Sequence, residues 1–173
     1  LTGELMTSAT ITDRLVALSR ALIGRIRGGS AQVNVLVSMF FAGMNGSVVA
    51  DTATVGALVL PAMKKAGYPA AFSAAVTGVS STIGGIIPPS IMMIVLANAT
   101  EISIAALFAA GIVPGILIGV VIMVINHYFA VKYNFERSDQ PFSVRRAGKE
   151  LYRSSFALLI PLVLVGSVMG GVA

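Results

Sequence analysis

The sequence contains no cysteine. That excludes a disulfide framework, a thiolate metal site and a thiol nucleophile. It is also poor in charge: only 11% of its 173 residues are Asp, Glu, Lys or Arg, where an ordinary soluble domain carries about 25%. There is one histidine, and the acids are scattered. With no Ser–His pair, acid pair or metal-ligand cluster, the sequence gives little support to an enzyme.

The charge that is present is unevenly placed. All 12 Lys and Arg fall between Arg14 and Arg27, at Lys64-Lys65, or between Lys132 and Arg153, and from Lys65 to Lys132 the only formal charge is Glu101. A soluble fold cannot solvate so long an uncharged stretch, whereas a membrane span uses roughly 20 apolar residues at a time. With 56% hydrophobic residues, the chain reads as an all-α integral membrane protein whose solvent is the lipid bilayer. The net charge of +5 does not point to nucleic acid. The basic residues sit at the ends of apolar segments, where they snorkel or meet anionic lipid, and no aromatic-interleaved basic patch accompanies them.

Six segments follow from the pattern. Residues 1–27 are the end of a span plus an amphipathic helix over 12–27, with Leu15, Leu18, Leu22 and Ile26 on one face and Arg14, Arg20, Arg25 and Arg27 off it. Such a helix lies in the interface or connects to a neighbouring subunit. Residues 28–67 hold one acid, Asp51, within an apolar run bracketed by basic residues on both sides. A single crossing would put positive charge on both faces, and two full crossings need about 40 residues plus a turn. A re-entrant helical hairpin fits, turning at Gly43-Met44-Asn45-Gly46-Ser47. Residues 68–103 form a transmembrane helix broken at Thr82–Ser90, where Gly84, Gly85, Pro88 and Pro89 interrupt it. Residues 104–133 return, 134–153 form a cytoplasmic loop, and 154–173 begin the next span. The chain is expected to be a piece of a longer protein, opening at Leu1 inside one apolar or amphipathic stretch and stopping at Ala173 inside another.

Irregular backbone at membrane depth is tolerated only where it is buried in protein or lines a wet cavity. Both breaks are rich in Gly, Ser, Thr and Asn. Their freed carbonyls and hydroxyls suit a hard cation such as Na⁺, and the helix N-termini beside them suit an anionic group. The plainer reading is that small residues permit close helix packing. Asp51 has three readings: a counter-charge to a cation, a substrate-site acceptor, or a cap on the return helix. His127, beside Tyr128, reads as an interfacial anchor or a proton relay.

At these residues a resemblance becomes specific. Gly3-Glu4-Leu5-Met6, Ile26-Arg27-Gly28-Gly29, Asn45-Gly46-Ser47-Val48-Val49-Ala50-Asp51, Pro61-Ala62-Met63-Lys64-Lys65-Ala66-Gly67-Tyr68, Ser81-Thr82-Ile83-Gly84-Gly85-Ile86-Ile87-Pro88-Pro89-Ser90 and Ala110-Gly111-Ile112-Val113-Pro114-Gly115 follow in order. Together they resemble the large membrane subunit of bacterial TRAP transporters, over residues 3 to about 130. The resemblance implies one half of an inverted-repeat, elevator-type transporter in the bacterial cytoplasmic membrane, coupled to Na⁺ and importing organic acids. It implies a small membrane subunit and a periplasmic substrate-binding protein as partners. Gly46, Ser47, Thr82, Gly84 and Gly85 would then supply oxygens to Na⁺, and Asn45, Ser47, Asp51 and Ser90 would serve the substrate. The family usually carries Ser-Gly-Ser at the hairpin tip; here Asn45 stands in the first position and still offers a carbonyl oxygen. The contrasting reading is a pore or scaffold subunit without coupled transport.

The charges also predict a topology. Lys65→Cys and Asn98→Cys, each introduced alone, should react with impermeant thiol reagents from opposite faces of the membrane, Lys65→Cys from the cytoplasm. Labelling of both from the periplasm would overturn the hairpin.

Overall fold

The computed structural model of the chain describes residues 11–23, 26–135 and 144–170. The segment expected as the end of a span, 1–9, lies outside the described residues, with its Gly3-Glu4-Leu5-Met6 motif; so does 136–143 of the expected loop. Everything described is helix or connection, with no strand. The helices are α1 (Ile11–Ile23), α2 (Gly29–Asn45), α3 (Val48–Lys65), α4 (Ala70–Ser81), a 3₁₀ turn (Thr82–Gly85), α5 (Ile91–Thr100), α6 (Ile104–Lys132) and α7 (Val144–Met169).

α2 is the hub. It packs on α1, α3, α4, the 3₁₀ turn, α6 and α7. Its buried residues run around the whole helix, from Ala31, Val33 and Val35 to Val37, Phe41 and Ala42. A helix apolar all round belongs in a core, yet this one also buries Gln32, Asn34 and Ser38. Each reaches a neighbouring helix. Asn34 Nδ2 donates to Thr77 Oγ1 at 2.7 Å, the Ser38 and Ser80 hydroxyls lie 3.2 Å apart, and Gln32 Nε2 donates to the Met123 carbonyl at 2.8 Å. Asn34 and Ser38 are one turn apart, as are Thr77 and Ser80, so two polar rows on α2 and α4 close on each other inside an apolar bundle.

Among the described residues one helix, α6, has the length and composition to cross a membrane, with mean hydropathy 2.7 in its most apolar stretch; α5 is apolar but shorter. α6 runs without interruption through Pro114. Its Gly111, Gly115 and Gly119, one turn apart, form the face on which the rest of the bundle sits. A β-carbon at Gly111 would lie 2.5 Å from the Ile86 carbonyl oxygen, one at Gly115 the same distance from the Ile87 side chain, and one at Gly119 2.6 Å from Met39 Sδ. Small residues at this spacing let helices approach closely.

One end of the bundle collects the cations. Arg27 Nη1 donates to Asn134 Oδ1 at 2.9 Å, and Tyr68, three residues past Lys65, stacks into a ring cluster with Phe72, Phe129 and Phe135. That brings Arg27, Lys64, Lys65 and Lys132 to the same end.

Two expectations need correcting. The amphipathic helix is described over Ile11–Ile23 and does not include Ile26 or Arg27, and Leu22 and Ile26 are exposed. Its buried stripe is Leu15, Leu18, Ser19 and Ile23, the side that meets α2 and α7, so Leu22 falls at the edge of the contact. The stretch 134–153, expected as loop, is helical from Val144. Glu150 and Arg153 pair one turn apart at 3.5 Å, and Ser154 Oγ donates to the Arg14 carbonyl at 3.2 Å, docking this first part of α7 on α1.

Asn34→Ala would leave the Thr77 hydroxyl without its α2 partner, while Ser80 keeps Ser38. The expected cost is about 1–2 kcal/mol, read as a lower midpoint in thermal unfolding of the purified protein. Ser155→Ala, on an exposed surface, should leave the midpoint unchanged.

Candidate functional site

The two glycine-rich interruptions meet. α2 stops at Asn45, and Gly46 takes a left-handed conformation (φ 58°) with its N–H on the Ala42 carbonyl. α3 then starts at Ser47, whose hydroxyl accepts from Ala50 N at 3.4 Å. On the other side, α4 tightens into the 3₁₀ turn, residues 86–90 leave the helix, and Ser90 caps α5, its hydroxyl accepting from Met93 N at 3.4 Å. Ile91 N donates to the Gly46 carbonyl at 3.1 Å, and a β-carbon at Gly46 would overlap the Pro89 carbonyl oxygen. Gly84 faces the Ser47–Val48 peptide, at 3.8 Å from where its β-carbon would be. Gly46 and Ser47 therefore come together with Gly84, Gly85 and Ser90, from two separate parts of the sequence.

The backbone chemistry follows from the prolines. In a continuous helix the Gly84 and Gly85 carbonyls would accept from the N–H groups of residues 88 and 89, which are prolines and have none. Ser90 Oγ donates to the Gly85 carbonyl at 2.8 Å, and the turn is closed instead by Ile86 N and Ile87 N on the Ile83 carbonyl, both at 2.9 Å. Two helix N-termini, at Ser47 and Ser90, thus lie beside carbonyls without helical donors. N-termini favour negative charge and carbonyl ends favour positive charge.

The remaining expected residues fall in different places. Asn45 ends α2, and its Nδ2 is buried with no acceptor. Thr82 is exposed, and its hydroxyl donates to the Val79 carbonyl at 2.7 Å; that hydroxyl is engaged within its own helix. Asp51 is fully buried. Ser47, not Asp51, caps α3. The polar groups beside the Asp51 carboxylate are the Ser81 and Ser38 hydroxyls, Ser81 the stronger of the two, and neither reaches it in a well-aligned hydrogen bond. Ser81 is itself fully buried, with Asp51 as the polar group it faces. His127 is exposed on α6, away from all of these.

The family model for the DctM component of tripartite ATP-independent periplasmic transporters matches residues 1–173. The chain belongs to the DctM family. It is 38% identical over 99% of its length to the sialic acid TRAP transporter permease protein of Haemophilus influenzae, of which it covers 28%. It is 37% identical, again over 99% of its length, to the C4-dicarboxylate TRAP transporter large permease protein of Pseudomonas aeruginosa, and 35% identical to the 2,3-diketo-L-gulonate TRAP transporter large permease protein of Escherichia coli, covering 40% of each. The chain thus spans well under half the length of these curated relatives. They are permeases rather than enzymes, and a membrane location for this DctM chain is supported by them.

Sequence reasoning found both interruptions but missed two supports of the site. The Gly111, Gly115 and Gly119 row was legible as a four-residue glycine spacing. The Asn34/Ser38 and Thr77/Ser80 rows were legible as polar residues one turn apart on otherwise apolar helices.

Gly46 and Gly67 separate contact from conformation. Both have positive φ, but nothing lies within 4 Å of a β-carbon at Gly67. Gly67→Ala should cost about 1 kcal/mol, the backbone preference alone. Gly46→Ala meets the Pro89 carbonyl as well and should lower the thermal midpoint at least twice as far.

Proposed function

We propose that this DctM chain is the part of a Na⁺-coupled secondary transporter where the coupling ion and an organic acid bind, in a multi-pass permease of the bacterial cytoplasmic membrane. The observation that carries the reading is the meeting of the hairpin tip, Gly46-Ser47, with the broken helix at Gly84–Ser90. Substrate and ion sites of this kind are formed by discontinuous helices near the bilayer midplane.

The depth of the tip supports a re-entrant hairpin. The tip lies against the break, and the break lies against Gly111 and Gly115 of α6. At 1.5 Å per residue those glycines are roughly 10 and 17 Å from the Ile104 end of α6. The hairpin therefore stops well short of the end that leads to Glu101, while its base shares the opposite end with the cations. Positive charge on that one end favours a cytoplasmic base.

Roles follow from chemistry. The Gly84 and Gly85 carbonyls, with those of Gly46 and Thr82 and the Ser47 hydroxyl, are the oxygens proposed for Na⁺. Asn45, with a buried donor lacking an acceptor, and Ser47 and Ser90 at two helix N-termini, are proposed to face the carboxylate of the organic acid. Asp51, expected at the substrate from the sequence, is enclosed among α2, α3 and α4, and an anion would be repelled by it. A buried carboxylate without a basic partner calls for a cation, so its proposed role is counter-charge to the coupling ion, beside Ser38 and Ser81. An elevator motion of the hairpin and broken helix against a fixed scaffold, a small membrane subunit and a periplasmic binding protein complete the reading, which draws these parts from the family resemblance.

The test is uptake of a labelled organic acid by the full-length permease with its partner proteins in proteoliposomes, with and without a Na⁺ gradient. Gradient-independent flux would favour a pore. Asp51→Asn should raise the half-saturating Na⁺ concentration about tenfold or more, the factor corresponding to 1.4 kcal/mol, and Ser47→Ala should raise it less. An unchanged Na⁺ dependence in both variants would remove them from the ion site.

A further inference from the structure

Away from the tip, a cavity of about 420 Å³ opens between α1, α3 and α7. α1 contributes Asp13, Val16, Ala17, Arg20 and Ala21, a single stripe at helical spacing, and Leu58 of α3 and Glu150 of α7 complete the lining. The cavity wall mixes apolar side chains with charges of both signs. Among the described residues neither Arg20 nor Asp13 forms an ion pair; Glu150 is held by Arg153 at 3.5 Å. The walls are fixed by contacts outside the cavity, where Arg14 Nη1 donates to the Arg153 carbonyl at 3.0 Å and Ser154 Oγ to the Arg14 carbonyl.

We propose that this cavity binds the headgroup of a phospholipid carrying a primary amine, such as phosphatidylethanolamine. The Arg20 guanidinium presents a planar fork to the phosphate. Asp13 and Glu150 accept N–H bonds from the ammonium. Val16, Ala17, Ala21 and Leu58 cover the glycerol and the first methylenes. The mixed charge selects against the two common alternatives: a phosphatidylglycerol headgroup brings no cation to face the two carboxylates, and the trimethylammonium of phosphatidylcholine has no N–H to donate. Leu58 is less than two turns from Lys64, so the site sits near the cationic end of the bundle, at the membrane surface in the topology proposed above, on which this inference rests. Its occupant would touch α1, the outgoing helix of the hairpin and α7 together.

The experiment is native mass spectrometry of the full-length permease, purified in detergent, delipidated, and titrated separately with phosphatidylethanolamine, phosphatidylglycerol and phosphatidylcholine. Wild type should retain phosphatidylethanolamine preferentially. Arg20→Gln should lower that bound fraction roughly fivefold, the scale of one basic contact to a headgroup, and Arg20→Lys should lower it less. The Asp13→Asn/Glu150→Gln double variant should bring phosphatidylethanolamine down to the level of phosphatidylcholine. Equal retention of all three lipids by wild type, or unchanged retention by the variants, would overturn the site and leave annular lipid only. The assay uses neither a Na⁺ gradient nor a substrate, and the lipid is supplied in detergent. A failed uptake experiment or a reversed topology is thus distinguishable from a failed lipid site.

Discussion

A helix that stops within an apolar environment leaves terminal N–H and C=O groups that water cannot reach, and each needs a partner within the protein. Here two interrupted helices meet that requirement together. The first N–H of α5, at Ile91, donates to the carbonyl of Gly46, and Ser47 and Ser90 each cap the helix they begin. The close approach requires a residue without a β-carbon at position 46 and a left-handed backbone there. The positions of the hairpin and the broken helix relative to each other depend on this contact, and so does the gathering of carbonyl oxygens and helix N-termini that gives the site its chemistry.

Two supports hold the contact at its depth. α6 offers a glycine face, so the irregular backbone at Ile86-Ile87 lies directly on a long helix instead of on a layer of side chains. α2, the first helix of the α2–α3 pair, is buried against nearly every other element. Apolar packing by itself would leave its rotation and register weakly specified, because one apolar face slides readily over another. The Asn34–Thr77 and Ser38–Ser80 contacts specify both, since a shift of either helix would leave polar groups unpaired where no water is available. Asp51 sits beside these same hydroxyls, which links the ion chemistry proposed for it to the contacts that align α2 with α4.

The cations carry a separate function in the fold. Arg27, Lys64, Lys65 and Lys132 are far apart in sequence, yet the Arg27–Asn134 bond and the ring cluster around Tyr68 draw them to one end. A cation-bearing, aromatic-rich end opposite one whose formal charge is the acid Glu101 is the asymmetry that orients helical proteins in a bilayer. α1 and the start of α7 lie against each other, and the charged cavity between them shows that the amphipathic stripe of α1 has two uses: Leu15 and Leu18 pack inward, while Asp13 and Arg20 line the cavity.

The helical class, the apolar character, the cationic clusters and both interruptions were legible in the sequence, because each depends on local chemistry: charge cannot be spread through lipid, and glycine and proline break helices wherever they are placed. Family membership was legible for a related reason, since two of the motifs that carry it, 45–51 and 81–90, lie at those same interruptions. Tertiary structure decided what the interruptions do. That Gly46 lies on Pro89 and Gly84 on Ser47 is a matter of how α2, α3 and α4 pack, which no local spacing encodes. Packing likewise enclosed Asp51 between the Ser38 and Ser81 hydroxyls of two other helices, while the Ser47 cap and the Thr82 hydroxyl bond stay within one turn of their own residues. Packing also made residues 144–153 the helical start of α7, docked on α1, where the charge pattern made 134–153 read as a loop. A sequence states which groups need partners; only the packed chain determines which partners they obtain, because those partners come from residues 40 or more positions away, as Asn34 and Thr77 do.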